Sequence, residues 1–219
     1  MTRDIISKYG EWWLPASEVL GLRWFVDSPR GERPEVVDAA MNHVVDPDKM
    51  IALDVGAHVG TWTIELAKHF RHTHAFEPLM PTWIALVHNM QERGIPHQRV
   101  TAWMTGVGDT LSNCRPHGMM NATMSSYIDP TDTGVIPVIA LDDINWGKVG
   151  LVKIDVEGME YHVIKGAQRL LETHHPVLVI EWKPDRLNRH GDFEAKIEAI
   201  LNRYGYKLAE QLEIDRIYV

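Results

Sequence analysis

The chain of 219 residues is short of cysteine, of positive charge and of long apolar runs. Its single cysteine, Cys114, excludes an intrachain disulfide and a four-thiolate zinc site. No apolar stretch approaches the roughly 18 residues of a membrane span. The opening residues, Met-Thr-Arg-Asp-Ile-Ile-Ser-Lys, lack the apolar core of a signal peptide. These absences predict a reducing, cytoplasmic setting. Lys and Arg number 22 against 30 Asp and Glu, and the net charge of −8 makes nucleic acid an unlikely partner. Internal repeats and low-complexity tracts are also missing. What is present is ordinary for a folded domain: 45% hydrophobic and 24% charged residues. The length suits one large domain with a modest extension.

The composition divides the chain near Pro47. Residues 1–47 form a Trp-rich extension (Trp12, Trp13, Trp24) with turn formers and no sustained period, and the pattern predicts one helix over 35–45. Residues 48–219 are regular. Apolar runs at 50–55, 73–76, 100–107, 151–156 and 176–182 read as buried strands. Helical spacing covers 59–70, 82–93, 160–171 and 193–204, with Trp83, Leu86, Val87 and Met90 as the stripe of the second helix. The pattern breaks over 108–143, where 135–141 reads as an edge strand, and 206–212 with 216–219 form a closing antiparallel pair. Alternating strands and helices predict an α/β fold, a mostly parallel sheet with helices on both faces. Ligands of such sheets bind outside the carboxyl ends of the strands.

The strand ends carry the chemistry. The first runs into Asp54-Val-Gly56-Ala57-His58-Val-Gly60, a glycine turn before a helix. Such a turn lets a ligand approach the backbone and offers free helix N–H groups. The dinucleotide fingerprint is G-x-G-x-x-G. Here the spacing is G-x-x-x-G, and Asp54 would repel a pyrophosphate, so the ligand is better cationic or zwitterionic. Glu77, before Pro78, follows Asp54 by 23 residues, close to the spacing of a carboxylate that holds a ribose diol. Gly108-Asp109 ends the third run, where it is placed to read an adenine edge. Each has a plainer reading as a turn or cap. In the fourth run, Lys153, Asp155 and Glu157 alternate onto one side. Paired carboxylates at the end of a buried strand are costly unless they are paired, bind metal or serve chemistry.

These segments resemble the FkbM family of S-adenosylmethionine-dependent methyltransferases. The resemblance rests on Leu53-Asp-Val-Gly-Ala-His-Val-Gly60, Ala75-Phe-Glu-Pro78 with Asn89 downstream, Val107-Gly-Asp109, Ser125-Ser126, Ala140-Leu-Asp-Asp143, Val152-Lys-Ile-Asp-Val-Glu-Gly-Met-Glu160 and Leu178-Val-Ile-Glu181. The run from Lys153 to Gly158 is the most specific of them. The resemblance implies a Rossmann-like class I methyltransferase sheet of about seven strands and methyl transfer to hydroxyl groups. His58 departs from the asparagine common in the family.

The expected site follows. Asp54, Gly56, Ala57, His58, Gly60, Glu77, Pro78, Gly108, Asp109 and Asp155 are the expected cofactor contacts. A hydroxyl acceptor needs a base or a metal. Asp155, Glu157 and His58 are the candidate catalytic residues, and Asp155 with Glu181 the candidate ligands of a hard cation such as Mg²⁺. The acceptor expected is a small molecule, sugar or lipid-like compound, and the sequence admits a homo-oligomer. The methionine-rich segment (Met119, Met120, Met124) is the expected cover of the site. The competing readings are an NAD-type oxidoreductase, a non-catalytic cofactor-binding protein and a nucleic-acid methyltransferase. Of the twelve histidines only His58 is assigned chemistry, because no pair has zinc spacing.

Overall fold

The computed structural model describes residues 5–17, 33–117, 127–188 and 193–219. Trp24, Met119, Met120, Met124, Ser125 and Ser126 lie outside the described residues. In chain order the elements are β1 (Ile6–Tyr9), β2 (Trp12–Pro15), α1 (Pro34–Met41), β3 (Ile51–Val55), α2 (Thr61–His69), β4 (His72–Phe76), α3 (Met80–Glu92), β5 (Val100–Trp103), β6 (Gly106–Gly108), β7 (Ser112–His117), β8 (Tyr127–Thr133), β9 (Ile136–Ala140), β10 (Val149–Ile154), α4 (Glu160–Lys165), α5 (Gln168–His174), β11 (Val177–Glu181), α6 (Pro184–Leu187), α7 (Phe193–Arg203), β12 (Leu208–Leu212) and β13 (Asp215–Tyr218).

Seven strands make the main sheet, in the order β12-β13-β11-β10-β3-β4-β5. β11, β10, β3, β4 and β5 run parallel, and β13 lies antiparallel between β11 and β12. All five residues of β3 are buried, as a strand covered on both faces requires. Leu53 and Val55 point into a core with Val163, Ile164, Leu170 and Ile197. Ala52, one position away, joins the opposite core with Val36, Trp62 and Leu66. The order reverses between β3 and β10, and in sheets of this kind ligands bind outside the carboxyl ends of the strands at that point. The expected parallel sheet and its closing antiparallel pair are therefore present. Among the described residues no helix is long and apolar enough to cross a membrane.

Four expectations need correction. The third strand stops at Trp103, and Gly106–Gly108 belongs to a separate four-stranded sheet, β6-β9-β7-β8. The Thr105 hydroxyl, donating to the Pro137 carbonyl at 2.7 Å, marks the change of sheet. The stretch read as irregular thus holds short strands whose proline and polar residues hide the alternation, and 136–140 pairs on both sides instead of forming an edge. The helix expected over 160–171 breaks into α4 and α5 at Gly166. The Asp142 carboxylate accepts the N–H groups of Arg169 and Leu170 at 2.8 and 2.9 Å and so caps the new helix. The extension also carries a hairpin, β1–β2, that packs on α3. Finally, α3 buries Thr82, Ala85, Leu86 and Asn89, while Trp83, Val87 and Met90 are half-buried. The inner face includes an asparagine because its amide is fully hydrogen-bonded.

Gly166 permits the close contact between the end of β6 and the turn that joins α4 to α5. A Cβ there would lie 2.1 Å from the Gly108 carbonyl oxygen and 2.8 Å from Asp109 Cα, both backbone atoms. Gly166→Ala is therefore expected to lower the free energy of unfolding by about 1–3 kcal/mol, the usual range for overpacking. Urea denaturation measures this, and an unchanged midpoint would show that the β6–α4 approach is not tight.

Candidate active site

The parallel register of β3 and β10 sets Lys153 beside Asp54. Lys153 is 5% exposed, and its ammonium reaches Asp155 Oδ2 at 3.2 Å, the Gly56 carbonyl at 3.2 Å and Asp54 Oδ1 at 3.8 Å. Asp54 is fully buried. Its Oδ2 accepts the Thr63 hydroxyl at 2.6 Å, and its Oδ1 has no hydrogen-bond partner. Burial raises the pKa of Asp54 against the pull of Lys153 and Thr63. Burial would also lower Lys153 and raise Asp155. The opposite charges prevail in both: Lys153 lies above the ordinary lysine value, and Asp155 below the ordinary aspartate value.

The loop after β3 is held by short-range geometry. Gly56, His58 and Gly60 have φ of 80°, 49° and 94°, all left-handed. A Cβ on Gly56 would lie 1.8 Å from the Asp155 carbonyl oxygen, so only glycine lets the loops after β3 and β10 meet. The N–H groups of Gly56 and Ala57 donate to the Phe76 carbonyl. Glu77 accepts the His58 N–H at 3.0 Å and the Leu79 N–H at 2.8 Å, one on each oxygen. Burial pushes Glu77 up to about 7, although both bonds favour the carboxylate. Each oxygen keeps a lone pair for a further donor. Pro78, between them, leads into α3.

At the ends of β10 and β11 the acids interleave with cations. Glu157, left-handed at φ 59°, pairs with Arg186 and with Lys183 at 3.7 Å. Glu181 pairs with Lys183 at 2.7 Å and with Arg33 at 3.3 Å, and Arg33 also pairs with Asp215. Burial and the charge of Asp155 push Glu181 up to about 8. Glu160 Oε1 accepts the N–H groups of Val156 and Gly158, each at 3.2 Å, and burial pushes its carboxyl up to about 7.

Asp54, Gly56, Ala57, His58, Gly60, Glu77, Pro78 and Asp155 therefore lie together at the carboxyl ends of β3, β4 and β10. Gly108 and Asp109 do not end the third strand of the main sheet. Gly108 ends β6 of the small sheet, and Asp109 follows it, paired with Lys165 at 2.6 Å and with His162 at 3.4 Å. Ligand atoms of Asp155, Glu157 and Glu181 lie within 4.8 Å of one another, a grouping that could hold a metal ion. Each is already ion-paired, to Lys153, to Arg186 and Lys183, and to Lys183 and Arg33. A hard cation would have to displace these partners, so the donor set does not fit Mg²⁺. His72, His74 and Cys114 serve packing: His72 bonds Gln98 and Thr101, His74 accepts the Trp103 indole N–H, and Cys114 is 1% exposed beside Val138 and Met159. Sequence reasoning missed the hub role of Lys153, the Thr63 bond to Asp54, and Arg33. Only Lys153 carried a signal, its alternation with Asp155.

A family model described as the methyltransferase FkbM domain matches residues 54–208. No curated protein sequence matches the chain. Among solved structures, the methyltransferase FkbM from Methylobacillus flagellatus KT is similar at 21% identity and a TM-score of 0.54, over 78% of this chain and 43% of that one. This chain thus spans less than half of that protein's length. Precorrin-6y C5,15-methyltransferase from Geobacter metallireducens GS-15 is 16% identical with a TM-score of 0.52, over 87% and 89% of the two chains. Magnesium protoporphyrin IX methyltransferase from Synechocystis PCC 6803, solved with bound SAM, is 17% identical with a TM-score of 0.52, over 84% and 75%. At these identities the likeness is one of fold.

Buried acids with raised pKa make stability depend on pH. Glu77, Glu160 and Glu181 are raised from 4.5 to between about 7 and 8, so the folded state holds protons that the unfolded state releases. Their stabilisation is full below pH 4.5 and is lost as the pH rises through 7–8. Unfolding free energy is expected to fall between pH 6 and pH 8, by up to about 1.4 kcal/mol per pH unit for each such group. Glu160→Gln, which keeps the acceptor oxygen, should flatten this slope in urea titrations. A wild-type profile that rises over this window would contradict the assignment.

Proposed function

The chain belongs to the FkbM methyltransferase family, and on that premise we propose that it transfers a methyl group from S-adenosylmethionine to a hydroxyl of a small-molecule, sugar or lipid-like acceptor. The carrying observation is Asp54: a buried acid at the first strand end, beside a left-handed loop, with one oxygen lacking a hydrogen-bond partner. A ligand bearing positive charge suits that surplus of acid, and a pyrophosphate does not. The amides of Gly56 and Ala57 are committed to Phe76, which further disfavours a dinucleotide.

The residues present fit the cofactor. Asp54, Gly56, Ala57, His58, Gly60 and Asp155 would hold its methionine end, and Glu77 beside Pro78 its ribose diol. Asp109, held by Lys165 and His162, is left to join the small sheet to α4. Bound S-adenosylmethionine supplies a methyl group already activated on a sulfonium. The protein's task is then alignment, which can supply roughly 7–11 kcal/mol. Asp155 and His58, both half-buried, are placed to take the hydroxyl proton, and Asp155 is kept ionised by its cations. Glu157, fixed by Arg186 and Lys183, positions the loop after β10. The small sheet packs on that loop through Cys114, Val138, Met159 and Val156, and carries acceptor specificity.

Adenosylhomocysteine is expected to bind and NADH is not, by calorimetry. Asp54→Ala and Glu77→Ala should each weaken binding by about 1–3 kcal/mol. Affinity should also fall from pH 8 to pH 6, as Glu77 takes its proton near 7, and Glu77→Gln should remove that dependence. Wild-type affinity in both alanine variants would overturn the site. With an acceptor in hand, Asp155→Asn should lower kcat more than cofactor affinity, and EDTA should leave turnover unchanged. Loss of turnover in EDTA, restored by Mg²⁺, would reinstate a metal.

A further inference from the structure

Asn89 hydrogen-bonds both the N-terminal hairpin and the loop after β3. Asn89, on α3, is 1% exposed. Its Oδ1 accepts the Trp13 N–H at 2.7 Å, and its Nδ2 donates to the Trp13 carbonyl and to the Val59 carbonyl, each at 2.9 Å. Val59 lies between His58 and Gly60, both left-handed. Around this tie, Ile6, Trp12 and Leu14 of the hairpin bury with Val59, Ile64 and Ala85. The Arg93 guanidinium lies over the Trp12 ring at 3.9 Å, and Lys8 pairs with Glu92 at 2.6 Å.

A buried amide is an expensive way to pack a helix, since an apolar residue fills such a position without needing three partners. Its value here is directional, because it fixes a carbonyl of a loop whose backbone is strained at His58. We infer that the hairpin β1–β2, acting through Asn89, is a positioning element of the cofactor site and holds the Gly56–Gly60 loop in its ligand-ready conformation. A loop already in place loses less freedom when ligand arrives. This inference rests on the reading that the loop takes S-adenosylmethionine. It makes part of the extension, outside the matched family segment, a working component of the cradle.

The test uses the full chain with adenosylhomocysteine as the probe, read by calorimetry and by hydrogen exchange. Asn89→Ala and Trp12→Ala are expected to weaken binding at least tenfold and to speed exchange over 56–60. Exchange in β10 and β11 should not change. Trp12→Phe, which keeps a ring in the cluster, should bring affinity back to within threefold of wild type, and it serves if the alanine variants fold poorly. Ile197→Ala, a cavity in the buried face of α7, controls for general loss of stability and should bind as wild type. Undiminished affinity in Asn89→Ala and Trp12→Ala would overturn the inference, and so would equal weakening in Ile197→Ala. Failure of the wild type to bind would overturn the cofactor reading beneath it.

Discussion

A single buried ammonium ties the site together. Lys153 stands between Asp54 and Asp155 and also takes the Gly56 carbonyl, so one side chain joins β3, the loop that follows it, and β10. The parallel register leaves it no other place, because Lys153 is the direct neighbour of Asp54. Such a cluster is a poor device for stability alone. Replacing buried ions with packed apolar residues is often neutral or stabilising by about 1–4 kcal/mol. What it does is arrange two acids and a glycine loop at the point where the strand order reverses. Gly56 completes the arrangement by letting the two loops touch.

Charge balance then decides what the crevice suits. Asp54, Asp155, Glu157, Glu181 and Asp215 share four cations, Lys153, Lys183, Arg33 and Arg186. The surplus acid explains why burial and Asp155 drive Glu181 up to about 8. A cationic ligand relieves such a surplus without breaking any pair. A divalent metal at Asp155, Glu157 and Glu181 would have to displace the lysines and arginines first. The same ionic mesh brings Arg33, from the extension, onto the end of β11.

The sheet was legible because burial on both faces leaves unbroken apolar runs, and the glycine loop because a turn at a strand end has few alternatives. The split at Gly166 was not. The apolar spacing runs unbroken through Glu160–Leu171, Gly166 is the one local sign of a joint, and the groups that meet it, the Gly108 carbonyl and the Asp142 cap, come from distant parts of the chain. At Asp109 the apolar run over 100–107 hides a change of sheet, so this acid follows a strand of the small sheet instead of ending the third strand of the main one. The strands of the small sheet pair over long separations and carry proline, so their alternation is weak. On α3 the apolar stripe suggested Trp83, whereas the fold buries Asn89. A polar residue inside can be anticipated only when its partners, here Trp13 and Val59, are known.

The extension and the loops after β3 and β10 thus form one construction around the first strand. The most direct test is a structure of the protein with adenosylhomocysteine. The ligand should lie against the Gly56–Gly60 loop, with Glu77 on its ribose and Asp54 and Asp155 at its amino acid end. Finding it elsewhere on the chain, or finding those acids still turned to Lys153 and the backbone with no ligand beside them, would contradict this arrangement.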